Sequence, residues 1–171
     1  MKSVADVEFK DHSVQVKNAL KSLAIKALEE AAGEIESQTK RNTPVGKING
    51  SGLKNSWQHR IESKGDEHIA IIGSPLERAL WVEFGTGEYA IPESGKGGRK
   101  GGWYIPVGNG KGQISEAVAK AYGMTIRNGK GGKKWVFTRG MKPKRPLHKA
   151  YTSLKNRLIR RIQSKLKGGL S

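Results

Sequence analysis

Apolar residues in the first quarter of the chain recur at helical spacing. Leu20, Leu23, Ala24, Ala27, Leu28, Ala31 and Ile35 fall three and four apart, which places them on one face of a helix over 13–42. Glu29, Glu30, Glu34 and Glu36 lie mostly off that stripe. Ser13 is the expected cap, and Thr43-Pro44 stops the helix because a residue before proline avoids helical geometry. A loop over 45–52 follows. Leu53–Ser63, with Trp57 and Ile61, and Glu67–Gly73, with Ile69, Ile71 and Ile72, then read as two strands. Gly65-Asp66 supplies the turn of an antiparallel hairpin. Ala79–Phe84 fits either a third strand or the end of a short helix.

From Gly85 to Gly132 the pattern loosens, and fourteen of the 23 glycines fall here. Trp103–Val107 and Lys134–Thr138 are short strand candidates, and Ser115–Ala121 a short helix capped by Ser115 or its neighbour. The stretch over about 85–133 is expected to be a flexible, basic, glycine-rich loop region, since long loops in a compact domain are usually functional. Helical spacing returns at Leu147, Tyr151, Leu154, Leu158, Ile162 and Leu166, with Lys155, Arg157, Arg160, Arg161, Lys165 and Lys167 on the other faces. This second helix, over 147–167, reads as a core helix packed on the sheet with a solvated basic face.

Charge sharpens this picture. The 171 residues suit one domain spanning 1–171, with a formal net charge of +17. Residues 1–95 carry 12 Lys/Arg against 14 Asp/Glu, whereas residues 96–171 carry 20 Lys/Arg and a single acid, Glu116. Such segregation points to a polyanionic partner or an acidic protein surface. With no cysteine, disulfides, Cys-ligated zinc and a catalytic thiol are excluded. No stretch approaches the roughly 20 apolar residues of a membrane span, and no signal peptide is expected.

Motifs for catalysis fail on their context. At Gly129-Lys130 a phosphate loop would need Ser or Thr next, where Gly131 stands. Gly85-Thr86-Gly87-Glu88-Tyr89-Ala90 matches a dinucleotide fingerprint in letters, but Ile91-Pro92 follows in place of the required helix. His12, His59, His68 and His148 lack metal-ligand spacing and are expected at the surface; His59 and His68 flank the hairpin turn. Glu83 and Glu88 bracket the Gly85-Thr86-Gly87 turn, a spacing too weak to define a hydrolase. Trp103, Tyr104, Tyr122, Trp135 and Phe137 interleave with the basic residues, as in single-strand binders. Trp135 and Phe137 also alternate with Val136, so one face of that strand is expected in the core.

Three stretches carry a family resemblance. Thr43-Pro44-Val45 with Gly52-Leu53-Lys54-Asn55-Ser56-Trp57 is the first, and Trp81-Val82-Glu83-Phe84-Gly85-Thr86-Gly87 the second. The third is Phe137-Thr138-Arg139-Gly140-Met141-Lys142-Pro143 with Arg145-Pro146-Leu147 and Ala150. In this order they resemble the phage gene-product-ten-like family of neck, head–tail joining and tail-completion proteins, over roughly residues 13–155. Lys47–Ser51 and the long segment 106–133 depart from that pattern, as does Leu147 where members carry Phe.

The resemblance implies an α+β fold, with the long N-terminal helix and a C-terminal helix packed on a small antiparallel sheet, and long Gly/Lys-rich loops. It implies a non-enzymatic structural protein of the virion, made in the host cytoplasm and present as a homo-oligomeric ring in the neck or tail region. Its neighbours would be connector, tail-terminator or tail-tube proteins; DNA in the channel is a further candidate partner. No cofactor, metal, membrane or small-molecule substrate is expected. Candidate partner or DNA contacts are Lys96, Arg99, Lys100, Lys111, Lys130, Lys133 and Lys134, and candidate inter-subunit contacts are Glu83, Glu88 and Arg139. The alternative is a cytoplasmic, sequence-independent nucleic-acid-binding protein.

Overall fold

A computed structural model describes residues 11–47, 52–91 and 100–169. The elements run α1 (Ser13–Asn42), α2 (Gly52–Asn55), β1 (Gln58–Lys64), β2 (Glu67–Gly73), α3 (Arg78–Phe84), β3 (Trp103–Pro106), α4 (Glu116–Ala121), β4 (Ile126–Asn128), β5 (Lys134–Thr138) and α5 (Pro146–Gly168). The architecture is α+β, as the resemblance implies. The strands form two separate sheets: the antiparallel β1–β2 hairpin, and an antiparallel three-stranded sheet in the order β3-β5-β4.

α1 is the spine. Its buried face holds Ala27, Ala31, Ala32, Ile35 and Thr39, mostly small residues that let other elements approach closely. α5 runs antiparallel along it, and Ala31, Ile35, Ala150 and Leu158 form the main core with Ile72, Leu147, Leu154 and Ile162 around them. α5 therefore packs chiefly on α1 rather than on a sheet. Its basic face is also not simply solvated. Glu34 accepts from Arg157 at 2.7 Å and from Arg161, and Glu30 accepts from Lys165. The hydrogen bond from Arg161 holds the Glu34 carboxyl below the usual range against a smaller desolvation cost, and Lys165 does the same for Glu30.

Helix ends follow from the chain. Ser13 is the first helical residue and not the cap; Asp11 Oδ1 takes its N–H at 2.9 Å. At the far end the buried Thr43 hydroxyl donates to Thr39 O, and Thr39 donates to Ile35 O, both at 2.7 Å. These bonds satisfy carbonyls of the last turns where Pro44 prevents continuation. Leu53 and Trp57 then anchor a second cluster with Ala79, Leu76, Val82 and Leu147.

The hairpin forms with Gly65 at φ 62° in its turn, as patterned, but Leu53–Asn55, expected as the start of the first strand, is helical, and β1 begins only at Gln58. Ala79–Phe84 resolves as helix. Ser115 caps α4 by accepting from Val118 N at 3.2 Å. β4 was not expected. In β5 Val136 is wholly buried, while Phe137 and its neighbour Tyr104 face outward.

Candidate assembly surface

The second and third sequence blocks, some sixty residues apart, meet in one latch. α3 ends at Gly85, whose φ of 76° turns the chain so that Thr86 N donates to Met141 O at 2.9 Å. Met141 N returns a bond to Thr86 Oγ1 at 2.9 Å, and Glu88 N donates to Arg139 O at 2.9 Å. Lys144 N donates to Val82 O at 2.8 Å. The backbones approach so closely that a Cβ on Gly140 (φ 105°) would lie 2.0 Å from Thr86 O. Glycine is thus required there twice over, for conformation and for space.

Glu83 completes the latch from inside. It is only 7% exposed, and its two carboxylate oxygens accept from Leu147 N at 2.9 Å and His148 N at 3.0 Å. These are unsatisfied N–H groups of the first turn of α5. That helix opens on Arg145-Pro146, with Arg145 left-handed at φ 54° and offering no side-chain cap. A carboxylate at a helix N-terminus meets both the orphan donors and the positive end of the dipole. Both Glu83 oxygens are therefore engaged within the chain. No cap residue precedes Pro146 in sequence, and that gap was the available signal for a donor of charge from elsewhere.

Glu88 and Arg139 stand at the rim of the latch. Glu88 accepts from Gly101 N at 2.7 Å, and Arg139 lies 3.9 Å from it with an exposed side chain. Glu83 and Glu88 thus face different surroundings and form no carboxylate pair. Gly87–Tyr89 is a single short turn, so the fingerprint-like letters open no helix toward a ligand. On the outer side of α3, Leu80 is 58% and Trp81 48% exposed, an apolar pair beside the latch.

The basic surface lies mainly on and around the three-stranded sheet. Lys100, Lys111, Lys130, Lys133 and Lys134 are all exposed. Lys134 bonds Glu116 at 3.0 Å, and Lys120 shares that acid at 3.0 Å. Lys96 and Arg99 lie outside the described residues. Tyr104 and Phe137 pack ring on ring at 5.2 Å within this surface, and Lys47 reaches over Tyr122 at 5.8 Å. Among the described residues no group of His, Asp and Glu is placed to hold a metal, and no helix is long and apolar enough to cross a membrane.

Residues 8–85 match a family model described as "Bacteriophage HK97-gp10, putative tail-component". This stretch is similar to the HK97-gp10-like family. The gp10-like stretch covers α1, the hairpin and α3, and ends on Gly85, the first residue of the latch. The match takes in the first block and reaches the second as far as Gly85, and it agrees with the phage structural family that the three blocks resemble, described as a tail component. No curated protein and no solved structure matches the chain.

One histidine in the gp10-like stretch departs from expectation. His59, expected as a plain surface residue, is held by α1: Nδ1 sits 2.5 Å from Glu36 and Nε2 3.3 Å from Glu29. The bond to Glu36 raises its pKa above the usual 6.5, against the opposing effect of burial. A raised folded-state pKa contributes stability in full below the unfolded value and loses it as pH rises through the folded value. The thermal midpoint is therefore expected to fall as pH is raised from about 6.5 through this raised pKa. His59→Gln should flatten that slope in calorimetry; an unchanged slope would exclude His59 as its source.

Proposed function

We propose that this protein is a non-enzymatic, multi-copy component of the neck of a phage or phage-like particle, joining the head connector to the tail or completing the tail. The observation that carries this reading is the use made of the family's signature residues. Thr43 and Leu53–Trp57 close α1 and the second core cluster, while Glu83, Gly85, Thr86 and Gly140 lock α3 to α5. All hold a frame, and their polar atoms are engaged with the backbone rather than aimed at a substrate. A rigid frame bearing exposed apolar and basic surfaces is what a ring subunit between two larger assemblies requires.

On this reading Lys100, Lys111, Lys130 and Lys133, with Lys96 and Arg99, contact acidic surfaces of connector, terminator or tail-tube proteins, or the backbone of DNA in the channel. Contacts to phosphate position a protein without reading sequence. Glu88 and Arg139 at the rim of the latch are the proposed contacts to the adjacent copy.

Quantitative mass spectrometry of purified particles tests the role directly. A fixed, low ratio to the major tail protein is expected, and absence from particles would overturn it. Reversing Lys111, Lys130 and Lys133 to Glu should leave the fold intact and yield unjoined heads and tails by electron microscopy. Full infectivity of that variant would remove these lysines from the interface.

The second reading, a sequence-independent nucleic-acid-binding protein, is favoured by the exposed Tyr104–Phe137 pair amid cations. It predicts that the isolated chain retains DNA with affinity falling steeply with salt.

A further inference from the structure

The three-stranded sheet has two unlike faces, and the strand register assigns them. Val136 is wholly buried, and its register partners Ile105 and Ile126 stand on either side of it. Lys134, two residues before Val136 and of the same parity, bonds Glu116 of α4, so α4 lies on that side. The other parity belongs to Trp135 and Phe137 in β5. Tyr104 is paired with Phe137, and Arg127 and Pro106 are both paired with Trp135. One face of the sheet therefore carries Tyr104, Phe137, Trp135 and Arg127 together.

This aromatic face is not core. Tyr104 is 52% and Phe137 39% exposed, Trp135 is half-buried, and Arg127 is exposed. Tyr104 and Phe137 pack with their centroids 5.2 Å apart. Glycines make room for the rings: a Cβ on Gly102 would lie 2.6 Å from Phe137 Cζ, and one on Gly129 3.0 Å from Trp135 Nε1. Phe137 and Trp135 are thus seated on backbone, which holds them without covering them.

The surroundings are cationic. Residues 100–145 carry eleven Lys/Arg and one acid, Glu116, which Lys120 and Lys134 engage on the α4 side. Glu88 reaches the Gly101 end, where it accepts from Gly101 N and lies near Arg139. Exposed Lys100 stands in the turn before β3, and exposed Lys130 and Lys133 between β4 and β5.

An acidic protein, a duplex and a single strand all satisfy the charge, and the rings choose among them. Trp135 and Phe137 stand two residues apart on one strand, about 6.7 Å. That is twice the roughly 3.4 Å between successive nucleotides along one strand of a duplex. A duplex keeps its bases stacked on each other and offers this face only phosphate. An acidic protein surface offers carboxylates to the cations and nothing in series to the rings. A single strand brings both phosphates and unstacked bases, whose faces aromatic side chains accept whatever the sequence.

We propose that the outer face of the β3–β5–β4 sheet binds single-stranded nucleic acid, with bases stacked on Tyr104, Phe137 and Trp135 and phosphates met by Arg127, Lys100, Lys130 and Lys133. This rests on the nucleic-acid-binding reading and gives it a site and a strand form; the latch and the α1–α5 frame take no part.

Fluorescence anisotropy of the full chain with a labelled oligothymidylate of about 16 nucleotides, beside a hairpin duplex of equal charge, tests it. The single strand should bind more tightly than the duplex. Tyr104→Leu/Phe137→Leu keeps apolar cover and removes two rings, so it should lose about tenfold or more in single-strand affinity with little change toward the duplex. Arg127→Gln should weaken both and lower the salt dependence. Displacement of the oligothymidylate by polyglutamate of matched charge as readily as by unlabelled oligothymidylate overturns the proposal. Salt-dependent binding of both DNAs that ring removal leaves unmoved defeats the stacking face and leaves the nucleic-acid-binding reading standing. No binding of either defeats both. Should the double variant fail to fold, photocrosslinking of a thiothymidine-substituted strand to the unmodified chain decides. Adducts are expected in β3 and β5, and adducts confined to the basic face of α5 overturn the proposal.

Discussion

Replacing Glu83 with Ala is expected to destabilise the fold by about 2–4 kcal/mol, seen as a fall of roughly 5–15 °C in the thermal midpoint. The carboxylate accepts from two backbone N–H groups at the start of α5, and hydrogen bonds to a charged group are each worth about 1.5–3 kcal/mol. After truncation those two donors lose their partners at a site that is largely closed to water, and the α5 N-terminus loses the charge that complements its dipole. No local side chain takes over, because the Arg145 guanidinium only donates and Pro146 has no side-chain acceptor. Glu83→Gln keeps one acceptor oxygen but turns an NH₂ toward the second amide, so it should recover only part of the loss. A variant as stable as the parent in both forms would mean that the latch is held by its backbone bonds alone. The same substitution discriminates function: loss of particle assembly in proportion to lost stability is the mark of a frame residue, whereas loss without destabilisation would place Glu83 at a contact.

The contrast between Glu83 and the helices shows which information sits locally in the chain. α1 runs over the same residues that the apolar spacing delimits, and its stop at Thr43-Pro44 is a local steric matter. The hairpin is likewise local, since β-branched residues and Gly65-Asp66 lie within sixteen residues. Both were legible for that reason. β4 was not, because Ile126-Arg127-Asn128 is too short for any period to show and exists only through its pairing with β5. Nor did the sequence reveal that the strands divide into two sheets. No spacing in the sequence encodes that division. Glu83 stood out in the sequence, but its hydrogen-bond partners lie 64 and 65 residues later, and only the folded chain brings them together. His59 was misplaced for the same reason, its two carboxylates lying on a helix 23 and 30 residues earlier.

Leu158→Ala is expected to be the other large effect, at about 2–5 kcal/mol. Leu158 is 3% exposed and, with Ile35, supplies most of the bulk of the small cluster that joins α5 to α1, where Ala31 and Ala150 add little. The neighbours that could fill the space, Leu154 and Ile162, are a turn away on the same helix and cannot collapse inward without moving α5. Much of the cavity should therefore persist, and the cost should sit toward the upper part of that range. Domains of this size are stable by only about 5–15 kcal/mol, so the loss is a large share of the whole. The adjacent Ile159 provides the internal control. It is 44% exposed beside the cleft between β2 and α5, and its replacement by Ala removes an apolar surface that no described residue fully covers. Chemical denaturation of the isolated protein should show a midpoint shift for Leu158→Ala and almost none for Ile159→Ala. Equal destabilisation by both would mean that the space beside Ile159 is filled from within the chain, and that Ile159 is core rather than exposed surface.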